Sequence, residues 1–252
     1  MKLPARAALV LGITTFVALA TEAQVSLVTL GSSYTEDFTS LATSGATNPW
    51  ADNTTISGWS SQFSLVAANP TVYRADAGGT NAGAIYSWGT GTATERAFGS
   101  IASGTPGNIL NAVRLLNNTG STITSLLVSF TGEQWRAGGC SGAGCTPALQ
   151  PLDFQFQVAA TGTITDANTP ATGWTDHDAL DFVSPTPGIA TAAALDGNAA
   201  ANRLALSSTI SVTVNAGEEV WLRWFDTNDA NNDHGLSIDD FSVTPQGGGT
   251  AI

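Results

Sequence analysis

The side chains best suited to hold a metal ion lie in the last long patterned stretch of the sequence, EVWLRWFDTNDANNDHGLSIDDFSV. Its centre is a loop with an oxygen ligand at every second position: Asp229, Asn231 and Asp233. Asp240 occupies the twelfth position counted from Asp229, and this spacing is typical of calcium loops. His234 stands where such loops have a turn glycine, and the flanking segments have the pattern of strands, so an EF-hand is excluded.

Two neighbouring carboxylates follow in the strand predicted over 236–243. Strict alternation along a strand gives two faces, with these members: Leu236, Ile238 and Asp240 on one, Asp239, Phe241 and Val243 on the other. Whichever face is buried, one carboxylate then points towards the core. A buried carboxylate needs an arginine, backbone donors or a metal ion.

We therefore predict a structural calcium ion that ties the acidic loop, or the Asp239/Asp240 pair, to Glu36 or Asp37 near the first strand. The predicted ligands are Glu36, Asp229, Asn231, Asp233, Asp239 and Asp240. The alternative is that these Asp and Asn side chains form only the side-chain-to-backbone hydrogen bonds that are common in turns.

Tryptophan next to arginine provides a second kind of candidate site. Trp135 and Arg136 follow a predicted strand, and Trp221 and Arg223 share one face of the strand predicted over 219–225. An exposed indole stacks on a sugar ring while neighbouring polar groups bind its hydroxyls, so these four residues are candidate ligand contacts. The alternative is that both tryptophans pack in the core and each arginine pairs with a buried acid.

The sequence contains no recognisable catalytic motif. His177 and His234 are the only histidines, and neither lies in an H-x-H, H-E-x-x-H or G-x-S-x-G context. The E-x-D-x-x-E strand of many sandwich glycosidases is also missing. We therefore predict a non-enzymatic protein without catalytic residues.

Composition and targeting signals indicate a secreted or cell-surface protein. The 252-residue chain has a formal net charge of −12, which disfavours nucleic acid and anionic membranes as partners. Residues 1–23 combine a positive start, an apolar run and a small-x-small cleavage site, as in a secretory signal peptide. No later apolar run is long enough to insert into a membrane. Cys140 and Cys145 are the only cysteines, and an oxidising compartment favours a disulfide between them.

Short strands, rather than helices, fill most of the mature chain. From Leu152 to Val158 apolar and polar residues alternate strictly, which predicts a strand with one buried and one solvated face. Roughly ten short strands separated by Gly-, Asn- and Thr-rich turns predict an all-β, two-sheet antiparallel sandwich of the jelly-roll type. We place this domain at 24–243 and a flexible Pro/Gly tail at 244–252.

Six segments carry a family resemblance: EDF (36–38), YSWG (86–89), ERAFGS (95–100), TGEQWR (131–136), LDGNAAANR (195–203) and WLRWFDTNDANNDHGLSIDDFSV (221–243). Together they resemble a bacterial secreted β-sandwich domain. That domain occurs in surface proteins with C-terminal sorting signals and ahead of extracellular endonuclease/exonuclease/phosphatase-type enzymes. The resemblance implies a lectin-like, non-catalytic jelly-roll module.

These observations favour a secreted binding module for carbohydrate or another cell-surface polymer, stabilised by calcium. Two alternatives stay open. One is a structural surface or matrix protein that associates with its own copies, and the other is an accessory N-terminal domain of a secreted nuclease- or phosphatase-type hydrolase. A strip of exposed aromatic residues would favour binding, whereas a long unpaired edge strand would favour self-association.

Overall fold

A computed structural model describes residues 24–65, 70–140, 144–188 and 191–248, so the predicted signal peptide (1–23) lies outside the described residues. Within these ranges the chain forms strands and one short 3-10 helix, Asp178–Leu180. The strands are β1 Val25–Leu27, β2 Tyr34–Glu36, β3 Asn48–Pro49, β4 Trp59–Phe63, β5 Val72–Asp76, β6 Ala84–Trp88, β7 Ala97–Ile101, β8 Ile109–Asn117, β9 Ile123–Ala137, β10 Pro151–Ala160, β11 Thr175–Asp176, β12 Phe182–Val183, β13 Ala193–Ala194, β14 Arg203–Val214, β15 Glu218–Asp226 and β16 Gly235–Gly247.

The strands form two sheets that pack face to face as a sandwich. The seven-stranded sheet has the order β1-β8-β15-β10-β11, with β4 beside β8 and β12 beside β10. The nine-stranded sheet has the order β13-β9-β16-β7-β6-β5-β3, with β14 beside β9 and β2 beside β16. From β7 to β10 and from β14 to β16, consecutive long strands alternate between the two sheets, as in a jelly-roll. The predicted all-β sandwich is confirmed, although two strand pairs, β1·β8 and β5·β6, are parallel rather than antiparallel.

The main core lies between the sheets and is centred on aromatic rings. Trp59 of β4 and Trp224 of β15 stack with ring centroids 5.6 Å apart. From the opposite sheet, Phe241 of β16 meets both indoles edge-on, at 5.3 Å from Trp59 and 5.6 Å from Trp224. Burial of these large apolar surfaces is the main force that holds the two sheets together.

The outer face of each sheet also carries a buried apolar cluster, because a loop covers it. Trp135 packs with Tyr86 and Trp88 on the nine-stranded sheet, where the backbone at Gly197 lies against its indole ring. Trp221 packs on the seven-stranded sheet against Ile164 and Ala167 and other residues of the same cluster. The central strands are therefore buried on both faces, and every residue of β8 is buried.

The last strand contains a β-bulge that changes which side chains face the core. β16 has one extra residue relative to β9 between Asp239 and Ser242, and Asp240 there adopts a left-handed φ of 48°. The extra residue reverses the alternation, so that Ile238 and Phe241 both lie in the main core. The predicted alternation is therefore wrong after Asp239: neither carboxylate points into the core, Asp239 lies on the outer face of the sheet, and Asp240 is exposed.

The C-terminal boundary also differs from the prediction. β16 continues past Val243 to Gly247, and the backbone N–H of Gly31 donates to the carbonyl of Pro245 at 2.7 Å. The predicted flexible tail at 244–252 is therefore wrong for residues 244–247, which belong to the sheet. Cys140 and Cys145 form the predicted disulfide, with a Cα–Cα distance of 5.6 Å. Within the described ranges, no helix has the length and apolar character needed to cross a bilayer.

Candidate functional site

The two tryptophans predicted to stack on sugars are buried. Trp135 is 0 % exposed, and its indole N–H donates to Glu133 Oε2 at 2.9 Å. Trp221 is 1 % exposed, and its indole N–H donates to Glu219 Oε2 at 3.2 Å. Neither ring offers a free face to a ligand, so the predicted ligand contacts at these two positions are wrong. They belong to the apolar clusters on the outer faces of the two sheets.

The two predicted arginines bind protein oxygens. Arg136 Nη1 donates to the carbonyls of Gly78 and Gly79 at 2.8 and 3.2 Å. Arg223 Nη1 donates to the carbonyl of Ala167 at 2.8 Å, and its guanidinium lies 3.9 Å from the ring centroid of Trp174. Arg223 is 4 % exposed and holds the covering loop to the sheet. Arg136, at 9 % exposure, still contributes to the wall of a cavity.

That cavity, called the end cavity here, lies at one end of the sandwich and has a volume of about 330 Å³. The acidic loop predicted to bind calcium forms one side of it, through Asp229, Asn231 and Asp233. Ile101 and Ala102, at the end of β7, provide apolar carbon atoms on its wall. The end cavity therefore combines carboxylates, amides and one guanidinium with apolar surface.

Hydrogen bonds fix the backbone of the acidic loop. The N–H of Asp229 donates to Asp233 Oδ1 at 2.8 Å, and the N–H of Asn228 donates to Asn108 Oδ1 at 3.0 Å. Burial, together with the charge of Asp229, raises the pKa of Asp233 to about 7. The side chain of Asp233 thus forms the side-chain-to-backbone bond expected of an ordinary turn.

The predicted twelve-residue calcium loop is not assembled. Asp229, Asn231 and Asp233 line the end cavity, whereas Asp240 lines a different cavity together with Glu36 and the neighbouring Asp37. The reason is that β16 begins at Gly235 and carries Asp240 away along an extended strand. The loop and Asp240 therefore cannot bind the same ion.

Glu36 and Asp240 are brought together at the β2–β16 edge, as the sequence predicts. Glu36 pairs with Phe241 in the strand register and lines an open cavity of about 470 Å³ with Asp37 and Asp240. Glu36 Oε1 accepts the N–H of Phe38 at 3.0 Å, and burial raises the pKa of Glu36. Hydrogen bonds from Thr39 lower the pKa of Asp37.

His234 is a buried hydrogen-bonding residue. Gln134 Nε2 donates to His234 Nδ1 at 3.0 Å, and the other atom of that amide, Oε1, accepts the N–H of Thr186 at 2.8 Å. This fixes the amide orientation, so Nδ1 is the acceptor and the proton of the neutral ring lies on Nε2. Burial lowers the pKa of His234 to about 4, which keeps the ring neutral.

A third group of acids, called the acid cluster here, consists of Glu95, Glu133 and Asp239. One carboxylate oxygen of each residue lies within 4.8 Å of those of the other two. Burial raises the pKa of Glu133 to about 7 and that of Asp239 to about 8. Asp239 was predicted as a metal ligand, but its two neighbours were not, since their proximity depends on strand pairing between segments far apart in sequence.

No family model matches the sequence, and no curated protein matches it. Several solved structures are similar. The K3 cleaved adhesin domain of Lys-gingipain from Porphyromonas gingivalis is 16% identical, with a TM-score of 0.37, over 74% of this chain and 91% of that one. TmCBM61, solved in complex with β-1,4-galactotriose, is 8% identical, with a TM-score of 0.28, over 60% of this chain and 72% of that one.

An isomalto-dextranase from Arthrobacter globiformis, complexed with panose, is 12% identical, with a TM-score of 0.29, over 85% of this chain and 33% of that one. The bacterial family resemblance of the six segments stays a prediction. The TM-scores of these three structures are all below 0.5, so the structures do not identify a ligand for this chain.

Proposed function

We propose that this protein is a secreted, non-catalytic binding module for carbohydrate or another cell-surface polymer, and that the ligand enters the end cavity. The supporting observation is the lining of that cavity, in which Arg136, Asp229 and Asp233 lie beside the apolar carbon atoms of Ile101 and Ala102. Sugars present hydroxyls and C–H surfaces together, so mixed polar and apolar walls suit them. The volume of about 330 Å³ is that of a small-ligand pocket, enough for part of a polymer chain.

The charge of the protein narrows the class of polymer. The net charge is −12, and two carboxylates line the cavity, so polyanions such as nucleic acid are repelled. A neutral polysaccharide, or one that contains amino sugars, suits the negative potential of the protein better than a polyanion does. The disulfide at 140–145 fits an extracellular location.

The test is a polysaccharide binding screen with the mature chain, followed by calorimetry on the best ligand. Asp229 is the residue to change, because its side chain lines the cavity while only its backbone N–H holds the loop. We expect Asp229→Ala to weaken binding about 10-fold, the loss of roughly one hydrogen bond to a charged group. Asp37→Ala is the matched control, since it removes the same charge at the cavity of the β2–β16 edge and should leave the affinity unchanged.

Equal affinity of the wild type and Asp229→Ala would place the ligand elsewhere on the surface. Equal loss in both variants would mean that overall charge, and not the end cavity, governs binding. Absence of binding across a broad panel of neutral, amino and acidic polysaccharides would refute the proposed function.

A second candidate function is self-association, which one sheet edge favours. β14 is 12 residues long, pairs with β9, and has no further strand partner among the described residues. After Arg203 its sequence, LALSSTISVTV, has neither the charges nor the proline that usually block edge-to-edge pairing. Light scattering over a concentration series would reveal oligomers, and the exposed Ser211→Lys should disperse them. A monomer at every concentration would rule this function out.

A further inference from the structure

The acid cluster lies outside the end cavity, on the outer face of the nine-stranded sheet. Glu133 belongs to β9 and Asp239 to β16, while Glu95 comes just before β7. β16 runs between β9 and β7, and its Ser237 pairs with Glu133 on one side and with Gly99 on the other. Two of the carboxylates therefore come from the neighbouring strands β9 and β16, the third comes from the segment that leads into β7, and all three converge on one point of that face.

Each carboxylate of the acid cluster is held by one donor and keeps one oxygen without a hydrogen-bond partner. The donors are Trp135 Nε1 to Glu133 at 2.9 Å, Asn198 Nδ2 to Glu95, and the N–H of Asp240 to Asp239. The oxygens without a partner are Glu133 Oε1, Glu95 Oε1 and Asp239 Oδ1, all buried. Buried polar atoms nearly always have a partner, so three such oxygens in one place need a bound cation or shared protons.

Among the described residues, no arginine forms an ion pair with the acid cluster. Arg203, whose charge acts on Glu133, is exposed. Arg96 follows Glu95 in the chain, but its guanidinium donates to the hydroxyl and carbonyl oxygens of Ser87. Glu133 is 0 % and Asp239 6 % exposed, so bulk solvent does not solvate them either. Clustered carboxylates in such a place need a cation or bound protons.

We propose that the acid cluster is a structural calcium site formed by Glu95, Glu133 and Asp239. All three ligands are carboxylate oxygens, which hard cations prefer, and calcium binds them at about 2.4 Å. Two oxygens on one calcium ion can be at most about 4.8 Å apart, and the three oxygens meet this limit. The site is buried beneath the segment that carries Asn198, so the ion joins strands and does not meet a substrate. This proposal does not depend on a ligand in the end cavity.

The test uses the mature chain after metal removal, with calcium alone as the ligand. At calcium 100-fold above Kd, we expect the Tm to rise by about 5–10 °C. Terbium, an oxygen-binding substitute for calcium, also reports where the ion binds. Its luminescence is excited by a nearby indole, so strong emission places the ion close to a tryptophan. Trp135 is hydrogen-bonded to Glu133, so terbium in the acid cluster should give strong tryptophan-sensitised emission.

Glu133→Gln and Asp239→Asn should abolish both the Tm shift and the terbium emission. Glu36→Gln is the matched control, since it removes one carboxylate from the β2–β16 edge and should leave both signals intact. Glu95 is only partly buried, so Glu95→Gln should fold even if the other two variants do not, and it should weaken calcium binding at least 10-fold.

Three results would overturn the proposal. If Glu36→Gln alone removes the signals, the ion binds at the β2–β16 edge. If calcium leaves the Tm of the metal-free wild type unchanged, no such site exists. If Glu133→Gln raises the Tm at neutral pH without any response to calcium, the cluster holds shared protons instead of an ion.

Discussion

Asp226→Asn should stabilise the protein, and the gain should grow as the pH rises. Asp226 lies at the end of β15 with 3 % exposure, and Ser100 Oγ of the opposite sheet donates to its Oδ2 at 2.6 Å. Burial, helped by the nearby charges of Asp233 and Asp229, raises the pKa of this carboxyl from 3.8 to about 8. An asparagine keeps an oxygen that accepts the Ser100 bond and carries no charge at any pH.

The size of the effect follows from proton linkage. Below pH 3.8 the carboxyl is protonated in both states, so it does not make stability depend on pH. Between about pH 4 and pH 8 the unfolded chain loses the proton while the folded protein retains it, so stability falls as the pH rises. At about 1.4 kcal/mol for each pKa unit, the loss by pH 8 is on the order of 5 kcal/mol as an upper limit.

The assay is urea unfolding followed by tryptophan fluorescence, in chelator, at several pH values between 4 and 8. The difference in unfolding free energy between Asp226→Asn and the wild type should widen steadily across this range. Asp178→Asn, which removes a charge from the exposed 3-10 helix, controls for the change in net charge. A constant difference, or a loss of stability that grows with pH, would refute the reasoning.

Two further substitutions test packing and backbone conformation. Glu219→Gln should lower the free energy of unfolding, measured in urea, by about 3–5 kcal/mol, because it leaves the buried guanidinium of Arg114 without its ion-pair partner. Adding Arg114→Met should recover part of this loss. An unchanged free energy of unfolding in Glu219→Gln alone would contradict the prediction. Asp240→Gly should raise the Tm by about 1–3 °C, because glycine adopts the left-handed φ of 48° without strain, and a lower Tm would show that the Asp240 side chain stabilises the bulge.

The sandwich could be predicted because a strand with one buried and one solvent-exposed face has alternating apolar and polar residues. Leu152 and Phe154 are buried as their alternation indicates, and the turns between strands are marked by glycine and asparagine. Trp135 and Trp221 could not be placed in this way. Their strands are covered on both faces, and a covering loop leaves no mark in the periodicity of the strand beneath it.

Two members of the acid cluster, Glu95 and Glu133, were missed for a related reason. Glu133 and Asp239 meet because β9 pairs with β16, and Glu95 joins them through β7, so the site depends on register between distant segments. The bulge at Asp240 was also hidden, because aspartate in a strand gives no local sign of a left-handed φ. Only the approach of Glu36 to Asp240 followed from chain order, since the first and last strands of such sandwiches are often neighbours.

The central position of β16 has a consequence for how the chain folds. The nine-stranded sheet is joined across β16, which bonds to β9 on one side and to β7 on the other. During synthesis the two parts of this sheet exist long before the strand that unites them, and each has an open edge until then. Contacts between such distant segments form slowly, because a long loop must close first. We therefore expect the domain to fold in one late step, after β16 has left the ribosome.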